Sequence, residues 1–94
     1  MNVRRLVLDV DKAKIRPSLV ELAEAISSCR GVKGVNITVD EIDMETVDMD
    51  IAIEGDNLDY DMIEKAIASA GAVVHSIDQL LCGEQLVEYV KRVR

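Results

Sequence analysis

Residues 34–55 read GVNITVDEIDMETVDMDIAIEG. Apolar residues recur at every second position on both sides of a polar link: Val35, Ile37 and Val39, then Val47, Met49, Ile51 and Ile53. A period of two marks a strand with one buried face. Gly55 and Asn57 then break the second run, so the stretch reads as a β-hairpin. A slip of one residue would turn every apolar side chain to the wrong face, so the pattern sets the register. It places Val39 opposite Met49, Ile37 opposite Ile51 and Val35 opposite Ile53. On the other face it places Asp40 opposite Asp48, and Thr38 opposite Asp50. The stretch carries seven carboxylates and no Lys or Arg. Like charges directly opposed across a strand pair cost up to about 1 kcal/mol.

Upstream of the hairpin, VRRLVLDV at 3–10 alternates as a strand, with Leu6, Leu8 and Val10 on one face and Arg5, Val7 and Asp9 on the other. SLVE at 18–21 is a capping box, in which Ser18 caps the helix and Glu21 reaches back to its amide. Leu19, Leu22, Ala23, Ile26 and Cys29 then form an apolar helical stripe, which RGVKG stops near residue 30. Downstream, Asp59 or Asp61 caps a second helix whose apolar face is Met62, Ile63, Ala66, Ile67 and Ala70, ended by Gly71. AVVHSIDQLL at 72–81 is a fourth strand, and GEQLVEYVKRVR at 83–94 fits a short helix or a fifth strand. LAEAISS and IEKAIAS echo each other, so each half reads strand, helix, strand. The order βαββαβ predicts an α+β, ferredoxin-like sandwich over residues 1–94 as a single domain with a short C-terminal extension. Its four antiparallel strands lie in the order 4-1-3-2, both helices cover one face, and the other face is open. Val7, Ala52, Val74 and Leu80 are expected to add apolar surface to that open face.

Composition narrows the function classes. The 94 residues contain no Phe or Trp and two Tyr, so the core is aliphatic and modest, and burial against another subunit would add to it. Net charge is −7, which argues against nucleic acid and anionic membrane surfaces and favours cations or basic protein surfaces. Cys29 and Cys82 make neither a disulfide framework nor a CxxC motif. The N-terminus MNVRRLVLDVDK lacks the apolar run of a signal peptide, and no stretch is apolar enough to span a bilayer, so a cytoplasmic protein is expected.

Charge gathers at one corner. An antiparallel strand 1 beside strand 3 brings Asp9 and Asp11 near Asp48. Asp9, Asp11, Asp40 and Asp48 then converge on the open face with Asp50 close by, a set of oxygens suited to Ca²⁺ or Mg²⁺. No EF-hand loop is present, and a solvated acidic face is the ordinary alternative. Residues 34–64 hold eleven acids and no base, while eight of the eleven bases lie in 1–16 and 91–94. The acidic hairpin of one subunit can therefore meet the basic termini of another, and the contact repeated head to tail closes a ring. His75, the one histidine, stands beside Ser76 and Asp78 in VVHSID as a weaker ligand-binding candidate. No serine or cysteine sits in a nucleophile elbow, so no catalytic residue is assigned.

RGVKGVNITVDEID, ETVDMDIAIEG and AGAVVHSIDQLLCGEQLVE, in that order and spacing, resemble an archaeal family of unknown function, domain of unknown function family 211. The resemblance spans nearly the whole chain. It implies a ferredoxin-like fold, homo-oligomers in the form of rings and an archaeal cytoplasm. Bound calcium is expected of the family, no activity is assigned to it, and Gln79 stands where an acid is expected. The expected function is thus a non-enzymatic homo-oligomeric module that binds divalent cations. The alternative is a sensor like the ACT domains, which share this fold and bind small molecules between subunits. RPSLVELAEAI resembles their first loop and helix, with Ser18 in place of the usual glycine. A small enzyme using His75 with Asp78 is a third reading.

Overall fold

A computed structural model describes residues 1–91. The elements follow the expected order: β1 (Val3–Ala13), α1 (Leu19–Ser27), β2 (Val32–Ile42), β3 (Thr46–Gly55), α2 (Tyr60–Ala70) and β4 (Ala72–Cys82). The strands form one antiparallel sheet in the order β2-β3-β1-β4, which is 4-1-3-2 read from the other edge. The fold is the ferredoxin-like α+β sandwich. No helix of the described residues is long and apolar enough to cross a membrane.

Local chemistry explains where the helices start and stop. Ser18 Oγ accepts from the Glu21 amide at 3.1 Å while the Ser18 amide donates to Glu21 Oε1 at 3.0 Å, which completes the capping box of α1. Asp59, not Asp61, caps α2 by accepting from the Met62 amide at 3.2 Å. Gly71 ends α2 with φ at +105°, a left-handed position that favours glycine.

Leu22 and Ile26 from α1, and Ile63 and Ile67 from α2, are fully buried against Leu6, Leu8 and Val10 of β1 and Met49, Ile51 and Ile53 of β3. The two central strands thus supply the middle of the core, and the alternation runs uninterrupted from Leu6 in β1 and through β3. Near the hairpin's open end the chain packs backbone on backbone. A Cβ on Gly55 would lie 1.9 Å from the Gly31 carbonyl oxygen, so no side chain fits there.

The edge strands are less regular, and three expectations change. In β2, the pairs Val35–Ile53, Ile37–Ile51, Thr38–Asp50 and Val39–Met49 are as expected. After Val39 a bulge inserts Asp40 as an extra residue, so Glu41, not Asp40, faces Asp48. In β4, the pairs Val7–Gln79, Leu8–Ile77, Asp9–Ser76 and Val10–Val74 leave Asp78 and His75 as extra residues. Val74 and Leu80 consequently pair with Val10 and Leu6, on the helix side of the sheet rather than the open face. Finally, residues 83–91 form neither a helix nor a strand, and residues 92–94 of the same tail lie outside the described residues.

Candidate cation site

β1 and β3 run antiparallel, with Asp9 opposite Asp50 and Asp11 opposite Asp48. Strand alternation sends Leu8 and Val10 into the core, and it therefore sends Asp9 and Asp11 to the open face. Asp9, Asp11 and Asp48 each offer a carboxylate oxygen, and these three atoms lie within 4.8 Å of one another. They line an open groove of about 350 Å³ together with Glu41, Asp43, Thr46 and His75. Among the described residues, no Lys or Arg lines it.

Two bulges complete the groove. Without the one in β2, Asp40 would face Asp48; with it, Glu41 does, and Asp40 does not line the groove. The bulge at His75 in β4 re-aims the imidazole, whose Nε2 lies 2.5 Å from Asp11 Oδ2. Asp50 sits one pair further along, between Asp9 and Thr38, and does not line the groove. Ser76 Oγ donates to Asp78 Oδ1 at 2.7 Å, so these two residues pair with each other and Asp78 is not the partner of His75. Of the expected metal set, the structure thus gathers Asp9, Asp11 and Asp48. It adds Glu41, Asp43, Thr46 and His75, which sequence reasoning did not place there. The apolar spacing held the signal: Val39 to Ile42 is three residues, as are Val74 to Ile77 and Ile77 to Leu80. A step of three in a strand pattern announces one extra residue.

The far end of the open face is different. Arg5 Nε donates to Glu54 Oε2 at 2.8 Å, and Arg5 Nη1 donates to Gln79 Oε1 at 3.3 Å. Gln79 therefore serves the arginine end of the sheet and is not part of the acidic groove.

The crowding of negative charge shows in the protonation states. Asp48 is pushed up to about 7, first by its hydrogen bond with Asp11, then by that with Asp9, with partial desolvation and repulsion from both adding to it. Asp11 is held below the usual carboxylate range, chiefly as the partner of the Asp48 proton and also by His75, with desolvation opposing. His75 is raised by its hydrogen bond to Asp11 and by attraction to the acidic cluster. A proton held between Asp48 and Asp11 offsets part of the like-charge conflict, and the raised basicity of His75 acts in the same direction. These sites titrate as a coupled set rather than singly.

The donor set suits a hard cation. Three carboxylates offer up to six oxygens, and Glu41, Asp43 and Thr46 also line the groove. Ca²⁺ accepts such a flexible, carboxylate-rich shell, whereas Mg²⁺ would keep several waters.

The chain matches the family described as Uncharacterized ArCR over residues 4–94. It is similar to the uncharacterized protein MJ0319 of Methanocaldococcus jannaschii, with 43% identity over 90 residues that span 96% of this chain and 92% of that protein. This near full-length match places the chain in a family: it belongs to the archaeal uncharacterised family, domain of unknown function family 211.

Proposed function

We propose that this protein is a non-enzymatic, self-associating module that binds a divalent cation, Ca²⁺ or Mg²⁺, at Asp9, Asp11 and Asp48. The observation that carries this reading is the convergence of three carboxylates within 4.8 Å in a groove that no Lys or Arg among the described residues lines. A fold stores such a like-charge cluster at a cost, and a divalent ion removes it. Glu41 and Asp43 add charge at the rim, and His75 stands where it can turn away once a cation takes its place beside Asp11.

His75 takes Asp11, a member of the carboxylate set, as its partner, which ties the histidine to the acidic corner. Self-association is supported by the charge asymmetry of the chain and by apolar side chains left exposed at the sheet edges and in the tail.

Isothermal titration with Ca²⁺ and with Mg²⁺ tests the reading, with amino acids and nucleotides as comparison ligands. Saturable heat with a cation, lost in Asp11→Asn, is expected. Silence with both cations at millimolar concentration sinks the cation reading, and saturable binding of an amino acid would favour a small-molecule sensor.

A further inference from the structure

The tail after β4 is an unusual piece of surface. Its exposed apolar side chains run from Leu86 at 56% accessible to Val90 at 83%, with Val87 and Tyr89 between. Tyr89 is one of the two aromatic residues in the chain. Residues 86–91 belong to no helix or strand, and among the described residues they pair with none. Val87 to Val90 stand off β4 around an open cavity of about 720 Å³, which Asp78 to Cys82 line from the other side. Backbone groups and apolar side chains presented together in this way are half of a strand pair.

The other half exists at the opposite edge of the sheet. Among the described residues, β2 pairs with β3 on one side and with nothing on the other. Natural edge strands are blunted by bulges, prolines, charges or a covering segment. Here bulges at Lys33 and Asp40 flank a regular run from Gly34 to Val39 that has no Pro or Lys. That run is as long as residues 86–91. Val39 and Ile42 are exposed on it or just past it.

We propose that residues 86–91 of one copy add as a strand to the Gly34–Val39 edge of a second copy, parallel to β2. Charge selects both the partner and the direction. The C-terminal end of β2 leads into Asp40, Glu41 and Asp43, inside the stretch 34–64 that holds eleven acids and no base. Lys91 follows the apolar side chains of the tail. A parallel arrangement sets Lys91 beside the acids, whereas an antiparallel one sets it beside Lys33. Main-chain hydrogen bonds supply the affinity of such strand addition, and alternate side chains supply the specificity. The contact joins two different surfaces, so it repeats head to tail from copy to copy. The inference rests on the self-association reading above and names the surface by which it occurs.

The test uses the full chain. Light scattering of the wild type is expected to give a multiple of the 10.4 kDa chain mass, and the double substitution Val87→Asp/Tyr89→Asp is expected to give 10.4 kDa with unchanged circular dichroism. Cross-linking then fixes the geometry, in a Cys82→Ser background that removes the exposed native thiol. Thr38→Cys chains mixed with Val90→Cys chains are expected to form a disulfide-linked dimer, neither variant alone doing so, and Thr38→Cys mixed with Leu86→Cys giving less. A wild type of 10.4 kDa overturns both the self-association reading and this interface. An oligomeric wild type whose tail variant stays oligomeric, with no cross-link to Thr38→Cys, overturns the interface alone. Preference for Leu86→Cys over Val90→Cys overturns the parallel direction.

Discussion

Cation binding at the acidic corner should expel protons, and Asp48 sets how many. With Asp48 raised to about 7 within the coupled set, the acidic corner holds most of this proton at pH 6 and has lost most of it by pH 8. A cation needs the carboxylate, so binding should release whatever part of this proton is still held. His75 adds to the count. Asp11 holds its pKa above the ordinary value of 6.5, and losing that partner to a cation returns it toward that value and sheds a further fraction of a proton near neutrality. Titration of Ca²⁺ in two buffers of different ionisation enthalpy, repeated at pH 6, 7 and 8, gives the proton count directly. Asp48→Asn should abolish the Asp48 part together with most of the affinity, and His75→Gln should remove only the histidine part. Apparent affinity should rise from pH 6 to pH 8. The cation-free protein should behave in the opposite sense. Asp48 is raised from 3.8, so the native state keeps a proton that the unfolded chain has lost, and stability falls as pH rises from about 4 to about 7. His75 contributes stability below its ordinary 6.5 that is lost as pH rises through its raised value, which is the same direction. Asp11 opposes only in acid, where its lowered pKa makes stability fall as pH drops through it. Proton release that is flat from pH 6 to pH 8 would refute the claim that carboxylate crowding holds the Asp48 proton.

Other consequences follow from packing and caps. Ile51 is fully buried in a central strand, so Ile51→Ala should cost about 2–5 kcal/mol in denaturant unfolding, with cavity and transfer terms both contributing. Asp59→Ala removes the acceptor for the Met62 amide and should cost about 1 kcal/mol, measured the same way. Cys82 is exposed, whereas Cys29 is buried among core side chains with its thiol pushed up chiefly by desolvation. A maleimide should therefore modify Cys82 in the native protein and reach Cys29 only on unfolding; equal labelling rates in the native state would contradict that placement.

The central strands were legible because their alternation is unbroken. Leu6, Leu8 and Val10 in β1, and Val47 to Ile53 in β3, each point to the helices at steps of two, and the expected meeting of Asp9 and Asp11 with Asp48 followed. The edge strands were not, because a bulge shifts the phase of everything beyond it. One extra residue at Asp40 handed its place opposite Asp48 to Glu41. Another at His75 brought to the acidic corner an imidazole that, from its neighbours in sequence, belonged with Ser76 and Asp78. The acidic corner itself survived because Asp9, Asp11 and Asp48 all lie on central strands. The tail was ambiguous for a different reason. Alternating apolar residues and good helix formers coexist in it, and among the described residues neither pattern finds a partner within its own chain.

The most direct measurement is thermal unfolding of the wild type at pH 8 in EDTA and in millimolar Ca²⁺ or Mg²⁺, with Asp48→Asn alongside. At a cation concentration of 100 times the dissociation constant, mass action stabilises the native state by about 2.7 kcal/mol. For a domain of this size that corresponds to a rise in Tm of roughly 10–20 °C. A cation site formed by Asp9, Asp11 and Asp48 predicts such a rise in the wild type and little or none in Asp48→Asn. Equal Tm values in EDTA and in both cations would contradict it, and would leave the acidic corner as solvated charge.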